Sequence, residues 1–159
     1  MFGAQSETAA LRDRLLGELI GLARATEGND HLVTWSTDQT VLACLCAIAE
    51  NAGDEMFSRL LNQVEDEKRK LVPMCYQCAA SCGRNDGYDV QNLYRAETPI
   101  RGAKTRLLTA ICGLAAVPQR RDRACFDLLY RALYAIGREN WSEEELLTIA
   151  AEVEKRSGK

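Results

Sequence analysis

Apolar residues recur along this chain at intervals of three and four, the period at which side chains stack on one face of a helix. Between Thr8 and Ala25 the positions Leu11, Leu15, Leu16, Leu19 and Leu22 keep that spacing, which predicts a first helix with Ser6 or Thr8 as its cap. The run "EGND" breaks it. A second helix is expected from near Ser36-Thr37, with Val41, Leu45 and Ile48 on one stripe, ending at Gly53. A third is expected from Asp54 through Phe57, Leu60, Leu61 and Val64 to the charged stretch ending at Lys70. Pro73 closes that helix or opens another, because proline is tolerated only in a first turn.

The stripe resumes at Thr98-Pro99, a capping residue with proline at the first helical position, and continues through Ile100, Ala103, Leu107, Ile111 and Leu114. Val117-Pro118 breaks it. A fifth helix carries Phe126, Leu129, Ala132, Leu133 and Ile136 and stops at Gly137. The stretch "SEEE" from Ser142 is a capping box and opens a sixth helix after Trp141. No stretch alternates as a strand would. The expected fold is all-α, a bundle of about six helices in a single domain.

The two sets of three helices also echo each other. Placing "RDRLLGELIGLA" (12–23) over "KTRLLTAICGLA" (104–115) matches Arg14, Leu15, Leu16, Gly21, Leu22 and Ala23 with Arg106, Leu107, Leu108, Gly113, Leu114 and Ala115. A weaker echo, "LCAIAENAGDEMFSRLL" against "LYAIGRENWSEEELLTI", follows in the same order. Two three-helix units in tandem are therefore expected, 6–72 and 98–158, joined by 73–97.

Composition narrows the function classes. The chain has 159 residues, enough for one good core, with 47% hydrophobic and 27% charged residues as in ordinary globular proteins. A formal net charge of −3 offers no basic excess for a nucleic-acid backbone. Lys68-Arg69-Lys70 and Arg120-Arg121 lie beside Glu65, Asp66, Glu67 and Asp122, as on solvated helix faces. The N-terminus shows no export signal and no apolar run approaches the roughly 20 residues that span a bilayer. A cytoplasmic protein without nucleic-acid or membrane partners is expected.

Seven cysteines in such a compartment point to metal binding, redox chemistry or core packing before disulfides. Cys112 falls opposite Ile20 in the repeat alignment, a core-facing place, and Cys125 shares a stripe with Leu129, Ala132 and Ile136. Cys44 lies on the Val41 face, with Cys46 about 200° round the helix. These four read as small buried hydrophobes.

The stretch "PMCYQCAASCGRNDGYDV" (73–90) is different. Cys75 and Cys78 form a C-x-x-C pair whose sulfurs share a helix face, in a first turn that stabilises thiolates. Cys82 shares the face, but on an unbroken helix it lies about 10 Å along the axis from Cys75, too far for one metal. A common centre needs the chain to bend near Gly83, where turn residues begin. A fourth ligand would come from Cys112, Cys44, Cys46, His31 or another molecule. The alternative is that all these thiols pack a core.

"MCYQCAASCG" resembles the cysteine-rich start of the hybrid cluster proteins, or hydroxylamine reductases, and "ETPIRGAKTRLLTAICGLAAV" with "LLYRALYAIGRENWSEEELLTIAAEVEK" is similar to that family's helical bundle. The resemblance implies that Cys75, Cys78 and Cys82 are ligands of a 4Fe-4S cluster, with zinc or no metal as alternatives. At 159 residues the chain lacks the domains that hold the family's catalytic cluster, so reductase activity is not expected. The readings that remain are an iron–sulfur or metal-binding accessory passing electrons or clusters to a protein partner, and a non-enzymatic helical interaction protein, often a homodimer. A thiol pair cycling through a disulfide ranks below both, for want of a βαβ context.

His31, the only histidine, reads as a capping or surface residue. The phosphate-loop, dinucleotide and nucleophile-elbow motifs are absent. Glu144 and Glu145 complement a helix dipole, and one histidine cannot build a di-iron bundle.

Overall fold

The computed structural model describes residues 2–27, 30–71, 88–118 and 121–158. Among them are seven α-helices and no strand, so the fold is all-α. The helices are α1 (Phe2–Thr26), α2 (Trp35–Glu50), α3 (Asp54–Leu71), α4 (Gln91–Arg95), α5 (Thr98–Ala115), α6 (Arg123–Ile136) and α7 (Glu143–Arg156), with a 3-10 turn at Asp30–Leu32. The six long ones follow the apolar stripes; α4 is a single short turn with only Leu93 buried. The chain divides into two compact units, Met1–Tyr88 and Asp89–Lys159.

In unit 1, α1 packs most extensively on α3, and α2 closes the triangle. Leu15, Leu19, Ile20 and Leu22 of α1 meet an interior shared with Val41, Leu45, Phe57 and Val64, all fully buried. Each such side chain contributes about 1.5–3 kcal/mol through removal from water. Lys68 of α3 lays its ammonium on Glu18 of α1 at 2.6 Å, an ion pair at the partly buried seam of the two helices. Tyr88 ties the end of the unit to α1: its backbone N–H donates to the Gly17 carbonyl at 2.9 Å and the Arg24 guanidinium sits over its ring.

Helix ends differ in detail from the stripe-based expectation. α1 begins at Phe2, so Thr8 lies inside it, and its hydroxyl reaches across to the Asp54 carboxylate at 2.5 Å instead of capping. α2 is capped by Thr34, whose side chain accepts from the Thr37 N–H while the Thr37 hydroxyl accepts from the Thr34 N–H. Its C-cap is Asn51 in the left-handed region at φ 53°, a conformation asparagine tolerates, two residues before Gly53.

Unit 2 repeats the plan. α5 packs most extensively on α7, with α6 completing the bundle. Glu97 is the N-cap residue of α5, with Pro99 in the first turn. Asp122 caps α6, its carboxylate accepting from the Cys125 N–H at 2.9 Å. Ser142 caps α7 as its sequence predicts, accepting from the Glu145 N–H, although the Glu145 carboxylate takes the serine O–H and not the cap's backbone N–H. Lys104 is 2% exposed and donates to the Arg138 carbonyl at 3.1 Å, tying α5 to the loop that follows α6.

The burial patterns of the two units share one register. In the second helices, buried Thr37, Asp38, Val41, Leu42, Cys44 and Leu45 correspond at constant spacing to buried Cys125, Phe126, Leu129, Tyr130, Ala132 and Leu133. In the third helices, Phe57, Leu60, Leu61 and Val64 correspond to Leu146, Ile149, Ala150 and Val153. In the first, Leu15, Leu19, Leu22 and Ala23 correspond to Leu107, Ile111, Leu114 and Ala115. These places face the interior in both units, while others differ: Leu16 and Ile20 are buried where Leu108 and Cys112 are half-buried.

Candidate functional site

The cysteine triplet Cys75, Cys78 and Cys82, with the bend expected near Gly83, lies outside the described residues. Cys112, expected in the core from its alignment with Ile20, is only half-buried on α5, whereas Ile20 is fully buried. Among the described residues no three or more His, Cys, Asp or Glu side chains form a group able to hold a metal ion. Cys44 on α2 and Cys125 on α6 are buried, as the stripes predict, whereas Cys46 is half-buried. Burial pushes the Cys44 thiol up to about 12, so it stays protonated and is a poor ligand or nucleophile. Burial also raises Cys125, helped by the negative charge of Asp122. Both therefore act as small apolar groups. His31 is exposed on the 3-10 turn.

The polar feature that the fold does build lies between α2 and α3. The capping box at Thr34 fixes the first turn of α2, and that turn presents the hydroxyls of Ser36 and Thr37 toward α3. Glu67, only 4% exposed, accepts the Ser36 O–H on one carboxylate oxygen at 2.6 Å and the Thr37 O–H on the other at 2.9 Å. Lys70 adds a charged donor at 3.0 Å. Burial alone would raise the Glu67 carboxyl; the hydrogen bonds from Ser36, Lys70 and Thr37, with the lysine's charge, outweigh it and hold the group below the usual carboxylate range. An ionised carboxylate with three donors locks the start of α2 to the end of α3.

Beside this lock runs a groove of about 870 Å³, open to solvent, between the two helices. Trp35, Ser36, Gln39, Thr40 and Ala43 line it from α2; Gln63, Asp66, Glu67, Arg69 and Lys70 line it from α3. Trp35, the first residue of α2, is 76% exposed. Its charged residues are paired within the wall: Asp66 with Arg69 at 2.9 Å, and Glu67 with Lys70. The groove therefore combines a bare indole, two amides and no net charge. It suits hydrogen bonding and stacking better than acid–base or nucleophilic chemistry.

Trp35 belongs to no sequence motif, and Glu67 and Lys68, expected on a solvated helix face, are instead buried, because Ser36 and Thr37 of α2 cover the carboxylate and Glu18 of α1 pairs with the ammonium. The pair "TWST" before an apolar run was the available signal: threonines three apart can cap each other as a Thr/Glu pair does.

The fold and groove define an all-α protein of two similarly patterned units, each built on three long helices, the first bearing an open interhelical groove. Comparison with protein-family models, curated proteins and solved structures finds no match. No helix among the described residues is long and apolar enough to cross a membrane.

Proposed function

We propose that the protein is a non-enzymatic helical interaction module, which binds a protein partner at the α2–α3 face of unit 1. The observation that carries this reading is Trp35, three-quarters exposed at the end of a groove whose geometry is fixed by the Glu67 lock. A tryptophan buries about 150–250 Å² when covered, which at ~25 cal/mol per Å² leaves several kcal/mol of burial for a partner to complete. Tryptophan, with tyrosine and arginine, is enriched among the residues that carry most of the binding energy of protein interfaces. The buried thiols of Cys44 and Cys125 fit the same reading, as packing groups in the units that present the groove.

The test is site-specific photocrosslinking in the native cell, with a benzophenone amino acid at position 35 or 39 and, as control, at position 127 on the corresponding face of unit 2. A discrete crosslinked protein from 35 and 39 but not from 127 is expected. Equal crosslinking at all three positions, or none at 35, contradicts the reading.

A second reading keeps Cys75, Cys78 and Cys82 as ligands of an iron–sulfur cluster or zinc, serving electron or cluster transfer to a protein partner. Its support is the sequence spacing and the likeness to hybrid cluster proteins. Elemental analysis of anaerobically purified protein tests it: stoichiometric iron or zinc that is lost in the triple Cys→Ser variant supports it, and metal-free protein contradicts it.

A further inference from the structure

We infer that the groove of unit 1 takes an extended, uncharged stretch of a partner polypeptide, about four residues long, with an apolar side chain laid on Trp35. This deepens the binding role proposed above and rests on it.

Unit 2 closes the corresponding face that unit 1 leaves open. In the shared register Ala43 corresponds to Arg131 and Gln63 to Glu152. Arg131 and Glu152 join across the corresponding helices of unit 2 at 2.5 Å. Unit 1 places a methyl group and an amide at those positions, and its groove is open. Position 35 corresponds to Arg123, which turns to Asp127 one helical turn on. The same three-helix frame thus exists in a bridged form and an open one, and helix packing alone does not demand the opening.

The chemistry of the lining selects the ligand. With Asp66 on Arg69 and Glu67 on Lys70, the lining carries no net charge to draw a polyanion or a polycation. A cleft this open would leave much of a small molecule in water, whereas small-molecule sites cover most of their ligand. The Gln39 and Gln63 amides each offer a donor and an acceptor, the pattern a peptide backbone presents in return. From Trp35 to Ala43 the helix rises about 12 Å, the span of roughly four extended residues. The Glu67 lock holds this surface in one arrangement before a ligand arrives, which lowers the ordering cost of binding.

The experiment selects a displayed library of random nonapeptides against the full chain. Binding of the enriched peptides is then measured on the native protein, on Trp35→Ala, and on the double variant Ala43→Arg/Gln63→Glu, which copies the unit 2 bridge into unit 1. The expected peptides carry four consecutive uncharged residues with an apolar one among them. Their affinity should fall roughly tenfold or more in both variants, while circular dichroism shows the helices intact. Enriched peptides that are charged throughout but lose binding in Trp35→Ala would overturn this inference and leave the broader reading standing. Peptides indifferent to both variants, or no enrichment at all, would overturn both.

Discussion

Glu67 and Arg156 hold corresponding places in the third helices of their units, and each grips the first turn of the second helix with opposite charge. Glu67 accepts from the Ser36 and Thr37 hydroxyls; Arg156 donates to the Asp122 carboxylate that caps α6. One staple is buried and the other exposed. The buried version contributes more to rigidity, because solvent and salt screen the exposed pair. This difference places the firmer platform beneath the open groove.

Glu67→Gln should destabilise unit 1 at neutral pH by about 1–3 kcal/mol, since an amide cannot accept from three donors at once. The folded-state pKa of Glu67 lies below its unfolded value, so its contribution is complete above the unfolded pKa and is lost as pH falls through the folded one. Urea unfolding at a series of acid pH values checks this. The gap between native protein and variant should narrow on acidification; a gap that is constant or widens contradicts the assignment.

Much of this architecture is legible in the apolar period alone, because a stripe that must face a core repeats at 3.6 residues whatever surrounds it. The six long helices and the burial of Cys44 and Cys125 follow from it. The ends are less legible: Thr8 looks like a cap until Asp54, brought close by α3, takes its hydroxyl. The groove is not legible at all, since it depends on Glu67 meeting Ser36 and Thr37 from 31 and 30 positions away and on Ala43 lacking the arginine that its counterpart carries. The cysteine triplet is prominent as a sequence feature but outside the described residues, so its chemistry stands on spacing.

Lys104→Ala should cost unit 2 about 2–4 kcal/mol, from the lost charged hydrogen bond to the Arg138 carbonyl and the cavity left by its stem. Lys104→Met keeps the stem and should recover part of that loss. Denaturant midpoints rank the two variants; an alanine variant as stable as the native protein would show that the buried ammonium contributes nothing net.

Cys44 should resist alkylation. With its thiol pushed up to about 12 and its side chain fully buried, the native protein treated with iodoacetamide at mildly alkaline pH should leave this residue unlabelled. Unfolding in denaturant should expose it to complete labelling. Peptide mass spectrometry reads both states, and rapid labelling of Cys44 in the folded protein would contradict its placement.

The most direct test of a recognition groove in unit 1 is a nitrogen-15 NMR titration of the full chain with a peptide from the display selection. The account predicts shifts concentrated at the Trp35 indole N–H and the side-chain amides of Gln39 and Gln63, with the α6–α7 face of unit 2 unchanged. Shifts centred on Arg131 and Glu152, or spread evenly over the chain, would contradict it.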